Sequence, residues 1–281
     1  MNTLSLEEKT QVISALVEGN SIRATCRMTG IAKGTVTRLL ERVGMACAIY
    51  QDIFLRDLPC KNIQCDEIWS FCYAKQKNVP EQYKGTFGYG NVWTWTALDA
   101  ETKLVPSWHI GTRDATDGTV FLNDLKSRLA NRIQLTTDGH KVYLKAVEDV
   151  FGMDVDYAML VKLYGEIPEE EKRYSPAPCI GAESQIIMGK PDKKKISTSY
   201  VERQNLTMRM NMRRFTRLTN GFSKKVQNLE AAVALHFMHY NFVRPHGTLN
   251  LEKNICMTPA MAAGVAVRPW KIEEIVMLES E

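Results

Sequence analysis

Apolar residues recur at helical spacing over Leu6, Val12, Ile13, Leu16 and Val17, and Gly19-Asn20 then stops that run, as Gly and Asn do at helix ends. A second periodic segment, Ser21 to Leu40, has the grammar of a helix-turn-helix. The small Cys26 sits where two helices approach, Gly30 serves the turn, and Ile31, Val36 and Leu39 pack inward. From residue 60 the period changes. Asn62–Tyr73, Val92–Asp99 and Lys103–Ile110 are rich in aromatic and branched residues and predict three strands. Val120, Phe121, Asp124, Leu125, Arg128 and Leu129 predict a helix, and Ile133–Thr137 a short strand ending at Asp138-Gly139-His140. A helix to about Phe151, a fifth strand over Val155–Leu163 and a long helix from about Ser199 follow. Three strands, helix, strand, helix, strand and then helices is an α/β order with a mixed sheet.

Composition fits that picture. The chain has 281 residues, 44% hydrophobic and 24% charged, enough for a substantial core and unlike a disordered sequence. The most apolar stretch, near Leu229–Val243, is broken by polar residues, and nothing reaches the roughly 18 apolar residues of a membrane span. The N-terminus is too polar and acidic for a secretory signal, so a soluble, cytoplasmic protein is expected. Seven cysteines, an odd number without a Cys-x-x-Cys pair, read as reduced thiols and buried small hydrophobes, with a structural zinc as the lesser alternative.

The charge distribution says more than the net value of +4. Glu148–Glu171 holds eight acids and one lysine, whereas Lys190–Lys225 holds eleven Lys or Arg and two acids. That asymmetry suits a protein that meets a polyanion on one side, and by itself it suits two solvated faces equally. In the helix-turn-helix, Lys33, Thr35, Thr37 and Arg38 face outward and match phosphates and base edges in a major groove. A small helical subdomain that binds protein is the alternative.

The acids fall at informative places. Asp66 lies inside the first strand among residues that otherwise read as core, and Asp138 closes the fourth. An acid within a strand is disfavoured unless it has a partner or a task. Glu202 is the best third acid. At helical spacing it shares a face with Asn205, Arg209 and Arg213, while Leu206, Met210 and Phe215 are expected to pack inward. Three carboxylates suit hard divalent cations, which take oxygen ligands and keep several waters. Glu67, expected on the opposite face of its strand, and Asp99, at a turn, are lesser candidates. His140 either contacts a phosphate or caps the following helix. His236 and His239 read as structural, and Trp69, Trp93, Trp95 and Trp108 as sheet packing.

Cys65-Asp66-Glu67-Ile68-Trp69-Ser70-Phe71, Thr136-Thr137-Asp138-Gly139-His140, Tyr200-Val201-Glu202-Arg203-Gln204-Asn205 and Tyr240-Asn241-Phe242-Val243-Arg244-Pro245-His246, in that order, resemble the DDE transposases of bacterial insertion sequences. The likeness is greatest to the insertion-sequence-one family. It implies an RNase H-like mixed five-stranded sheet with flanking helices, preceded by an all-α helix-turn-helix domain. It implies domains at 1–46 (helix-turn-helix), 47–59 (linker) and 60–260 (catalytic), with a C-terminal tail over 261–281. The gap from Asp138 to Glu202 holds 63 residues (202 − 138 − 1), longer than in many such enzymes, and suggests an insertion near 164–198. The resemblance makes Asp66, Asp138 and Glu202 a triad for Mg²⁺, with Mn²⁺ expected to substitute. Arg209 sits seven positions after Glu202, where such transposases often hold a basic residue against the DNA; Arg203 and Arg213 near it, and Arg244 and His246 after the apolar helix, are further candidate DNA contacts. The implied partners are double-stranded DNA (terminal inverted repeats and target) and further copies of the chain, as a homodimer or larger, associated with the bacterial nucleoid. A helix-turn-helix regulator with an unused core and a nuclease that cuts without joining are the rival readings.

Overall fold

The computed structural model describes residues 3–165, 177–217, 219–249 and 256–280. Helix α1 (Leu6–Val17) opens with a capping box: the Glu8 N–H donates to Ser5 Oγ (3.2 Å) and the Ser5 N–H to Glu8 Oε2 (2.8 Å). Helix α2 (Ile22–Thr29) is capped by Ser21, whose Oγ accepts from the Ala24 N–H at 3.1 Å, and it ends at Gly30. Gly30 has φ +72°, a left-handed conformation that costs glycine little. Helix α3 (Lys33–Phe54) buries Val36, Leu39, Leu40, Val43 and Cys47.

Residues 47–59, read from sequence as a linker, hold the last part of α3, with Cys47, Leu55 and Leu58 buried. The buried residues of α1 and α3 belong to one hydrophobic cluster with those of the sheet. Helix α3 approaches a neighbouring helix closely at a glycine. A Cβ on Gly44 would lie 2.4 Å from the Ala231 carbonyl oxygen of α7 (Val226–Met238), so the two helices meet backbone to backbone. Gln51 Nε2 donates to the Ala234 carbonyl (3.0 Å) a little further along.

The sheet is mixed. Its strands are β1 (Asn62–Cys72), β2 (Gly90–Asp99), β3 (Ser107–Gly111), β4 (Ile133–Asp138), β5 (Val155–Tyr164) and β6 (Cys179–Met188), in the order β3-β2-β1-β4-β5-β6. The pairs β1–β2, β2–β3 and β5–β6 are antiparallel, and β1–β4 and β4–β5 are parallel. Helices α4 (Ala115–Ser127) and α5 (Val142–Phe151) supply Phe121 and Tyr143, whose rings pack around Trp95 of β2. Helix α6 (Ser199–Asn211) lies against the other side of β1, where Gln64 Oε1 accepts from the N–H groups of Tyr200 (2.9 Å) and Val201 (3.2 Å). Short helices α8 (Pro259–Ala262) and α9 (Ile272–Met277) follow, α9 packing on α1.

Two expectations change. The sheet has six strands, not five. Strand β6 lies within the segment read as an insertion and pairs with β5 as a lengthened edge. Its side chains are almost all exposed, so backbone bonding holds it and no buried alternation marks it in the sequence. Residues 166–176 of that segment lie outside the described residues. On α6, the inward stripe is Val201, Gln204, Asn205 and Met208, whereas Leu206 and Met210 are exposed (44% and 67%). Phe215 is buried as expected. Arg213 lies just past the end of α6, in the turn Arg213–Phe215.

Candidate active site

The parallel pairing of β1 with β4 ends at Cys65↔Thr137. One residue further, Asp66 and Asp138 stand where the ladder stops, with β1 continuing beside β2 alone. Carboxylate oxygens of Asp66, Glu67 and Asp138 lie within 4.8 Å of one another there. Glu67 does take the opposite face of β1, as alternation requires. Its carboxylate accepts from Arg113 Nε (2.6 Å) and from the Tyr143 hydroxyl (3.1 Å) on the α5 side. The open strand edge nonetheless lets its oxygen approach the other two, an approach that alternation alone did not foresee.

The three acids are not equivalent. Asp66 Oδ2 accepts from Asn205 Nδ2 (2.8 Å) and Oδ1 from the Glu67 N–H (2.8 Å), and among the described residues no Lys, Arg or His side chain is ion-paired to it. Burial, then the charges of Glu67 and Asp138, push its pKa from 3.8 up to about 7, and Glu202 adds to that rise. Burial and Asp138 also raise the pKa of Glu67, against the opposing pull of Arg113 and Tyr143. Asp138 Oδ1 accepts from the His140 N–H two residues on (2.9 Å), an Asx turn that fixes the carboxylate at the strand end. Arg113 Nη2 is 4.0 Å from Asp138, so one guanidinium serves two of the acids.

Glu202 projects from α6 toward Asp66 closely enough to raise its pKa. Its own oxygens are taken by Lys162 of β5 and by the Thr198 hydroxyl. Arg209, further along α6, is partly buried; burial and Arg217 lower its pKa, and Asp66 opposes them. His140 does not cap α5 with its ring, since Lys141 is the N-cap and no side chain caps the helix. The ring stacks on Trp95 (centroids 6.3 Å apart), and its Nε2 is 3.8 Å from Glu67 Oε1. Burial, then Arg113, holds the imidazole below its ordinary pKa.

Other sequence candidates lie apart. Asp99 is buried at its turn, accepting from the Thr102 N–H (2.8 Å) and hydroxyl (2.7 Å). In the N-terminal helices, Lys33 and Arg38 are exposed and Thr35 and Thr37 half-buried. His236 and His239 are buried, with burial pushing their pKa values down to about 3 and about 4. Trp95 is fully buried and Trp108 packs on Phe237, whereas Trp69 is 39% exposed and Arg113 sits over Trp93. All seven cysteines are free thiols. Among the described residues, no helix is long and apolar enough to cross a membrane.

Arg113, Lys162 and Asn205 were not singled out as site residues from sequence. Asn205 carried the only signal, one helical turn after Glu202. Arg113 and Lys162 reach the acids only through the tertiary fold.

The donor set suits a hard divalent cation. It is all carboxylate, and oxygens of Asp66, Glu67 and Asp138 lie close enough to share one ion. Glu67 belongs to that group although Arg113 and Tyr143 bond it, whereas Glu202, the third acid expected from the sequence, lies outside it with its oxygens bonded by Lys162 and Thr198.

No family model matches the chain, and no curated protein does. Among solved structures, it is similar to the Mos1 transposase paired-end complex with left transposon end (14% identity, 56% of this chain and 60% of that one, TM-score 0.24). It is similar also to the Mos1 mariner paired-end complex with Mn (13% identity, 56% and 60%, TM-score 0.24) and to the Mos1 strand transfer complex (12%, 84% and 78%, TM-score 0.25). The chain spans three fifths of the first two. The site itself, and not these distant likenesses, carries the functional reading.

Proposed function

We propose that this chain is a DNA transposase of the DDE type, with an RNase H-like core, that cleaves the ends of an insertion sequence and joins them to target DNA. The carrying observation is the meeting of Asp66 and Asp138, with Glu67, where the β1–β4 ladder stops; the assignment of Glu202 as the third acid is supported by its electrostatic effect on Asp66. The order β3-β2-β1-β4-β5, mixed in direction, supports the same reading.

In this reading Asp66, Asp138 and Glu202 hold Mg²⁺, with Mn²⁺ substituting. When bound, such ions activate a water or 3′ hydroxyl and stabilise the leaving oxygen of a phosphodiester. Asn205 and the Glu67 N–H fix both oxygens of Asp66, each of which keeps a lone pair for a cation. Glu67 acts through Arg113, which it holds beside Asp138. Lys162 occupies Glu202 and must yield it before that carboxylate can serve a cation. Lys33, Thr35, Thr37 and Arg38 bind the element's ends, and Arg203, Arg209, Arg213, Arg244 and His246 follow the DNA from α6 to the segment after α7. The active form is a homodimer or larger assembly, in the cytoplasm and on the nucleoid. Within that type, the sequence motifs most resemble the insertion-sequence-one family.

The test is a cleavage and joining assay on a labelled duplex of the element's end, with Mg²⁺, Mn²⁺ or EDTA. Metal-dependent nicks and larger joined products should appear with wild type and vanish with Asp138→Asn, while end binding survives. Undiminished cleavage by that variant would overturn the site. Nicking without joining would leave a nuclease, and binding with neither activity a regulator.

A further inference from the structure

On the far side of α6 from Asp66 lies a cleft of about 360 Å³. Glu202 and Asn205 look toward the acids, whereas Tyr200, Arg203 and Thr207 look into this cleft. Its lining includes Lys103, Tyr200, Arg203, Tyr240, Arg244 and His246, and no acid among the described residues. Arg203 and Arg244 are exposed at the rim, and Lys103 is only 7% exposed at the floor.

A buried ammonium without a counter-charge is costly, so its surroundings bear close inspection. Lys103 sits at φ +63°, a left-handed conformation unusual for lysine. The turn that imposes this is pinned at several points. The Lys103 N–H donates to the Asp99 carbonyl (2.8 Å), and the Tyr240 hydroxyl donates to the Lys103 carbonyl (3.0 Å). The ammonium donates to the Ala100 carbonyl and lies 3.6 Å from the centre of the Tyr200 ring. Both stabilise a cation, and neither neutralises it. The two carboxylates of the turn are committed elsewhere, Asp99 to Thr102 and the Asn62 N–H, and Glu101 to the Asn62 side chain and Lys195. Among the described residues, no carboxylate pairs with Lys103, Arg203 or Arg244.

The cations also feel one another. His246 is held below the ordinary imidazole pKa by burial, then by the charges of Lys103 and Arg244. Its backbone is fixed by its N–H to the Met257 carbonyl (2.9 Å), and that of Arg244 by its N–H to the His239 carbonyl (3.0 Å). A fixed ammonium at the floor, two guanidinium groups at the rim and a ring N–H in between form a concave set of donors with unbalanced positive charge. Such a set matches a tetrahedral dianion or phosphodiester, which guanidinium groups bind in pairs of hydrogen bonds.

We propose that this cleft is a phosphate-binding site, separate from the acidic cluster, with Lys103 as its floor and Arg203 and Arg244 as its clamp. The phosphate is supplied by a DNA backbone running past α6 or by a free phosphorylated ligand. The DNA alternative rests on the proposed DNA-processing function, while phosphate binding as such does not.

The test uses the full chain without divalent ions. Pyrophosphate is titrated calorimetrically at constant ionic strength into wild type, the Arg203→Gln/Arg244→Gln pair, and Lys145→Gln as an exposed charge control on α5. Wild type should bind saturably. The pair should bind at least about tenfold more weakly, as expected for losing one or more charge-assisted hydrogen bonds, and the control should match wild type. Anisotropy of a fluorescent duplex, titrated against salt, then separates the sources. A salt slope flatter by about one per lost phosphate contact, with pyrophosphate competing, assigns the cleft to DNA. Weakened pyrophosphate binding with unchanged DNA binding assigns it to a free phosphorylated ligand. No pyrophosphate binding by wild type, or equal binding by the pair, overturns the site. Metal-dependent cleavage through Asp138 is measured separately, so either reading can fail without the other.

Discussion

Replacing Asp66 by asparagine should make the metal-free protein more stable, while destroying its activity. Asp66 titrates near 7 in the fold against an ordinary 3.8. Below about pH 4 the proton is bound in folded and unfolded chains alike and costs nothing. As pH rises from there, the unfolded chain ionises first and the folded state loses ground, levelling off above pH 7. At 1.36 kcal/mol per pH unit the whole span is about 4 kcal/mol, of which about 2 kcal/mol accrues between pH 5 and 7. The substitution fits locally. The new side-chain carbonyl keeps the Glu67 N–H, and Asn205 Oδ1, buried without a partner, can accept the new amide if the Asn205 amide turns over. Thermal melting in EDTA at pH 5 and 7.5 is the assay. The variant's advantage should widen by roughly 4–8 °C between the two, at 2–4 °C per kcal/mol for a chain of this size class. Glu67 contributes a slope of the same sign to both proteins, so the difference between them is the readout. Mn²⁺ should raise the melting point of wild type far more than that of the variant. A variant less stable than wild type at pH 7.5, or an advantage equal at both pH values, would refute the claim that burying an ionised Asp66 beside Glu67 and Asp138 costs the fold stability.

Other outcomes follow from single contacts. Lys162→Met frees Glu202 from a half-exposed pair worth about 0.5–1 kcal/mol, so Mn²⁺ affinity by electron paramagnetic resonance should rise about two- to fivefold; unchanged affinity would exclude Glu202 as a ligand. Lys33→Ala or Arg38→Ala should weaken end binding and flatten its salt dependence by about one unit of slope, with metal-dependent melting unchanged. Gly44→Ala should lower stability by about 1–3 kcal/mol in denaturant unfolding, since its Cβ would fall 2.4 Å from a backbone oxygen of α7, although alanine is the better helix former.

Much of this arrangement is legible in the sequence because it rests on local pattern. Strand alternation placed Asp66 and Glu67 on opposite faces, and turn chemistry marked Asp138 as the end of its strand. Strand β6 was not visible, because an edge held by backbone bonds needs no buried side chains. The inward face of α6 departs from its apolar pattern for a related reason. Leu206 and Met210 are apolar yet exposed, while the polar Gln204 and Asn205 are buried because partners await them at His236 and Asp66. Arg113, Lys162 and Lys103 become informative only when distant segments meet, and no spacing encodes that.

The unbroken run of α3 has a mechanical consequence. Twenty-two residues of helix make a rod of about 33 Å, stiff along its length and seated on α7 through Gly44. Whatever its first turn grips is therefore held at a fixed reach and a fixed rotational phase from the acids at the end of β4. A residue inserted ahead of Gly44 would turn the exposed Lys33 and Arg38 by about 100° relative to the sheet, since 3.6 residues complete a turn. The molecule thus carries its own ruler between the place where it would hold and the place where it would cut.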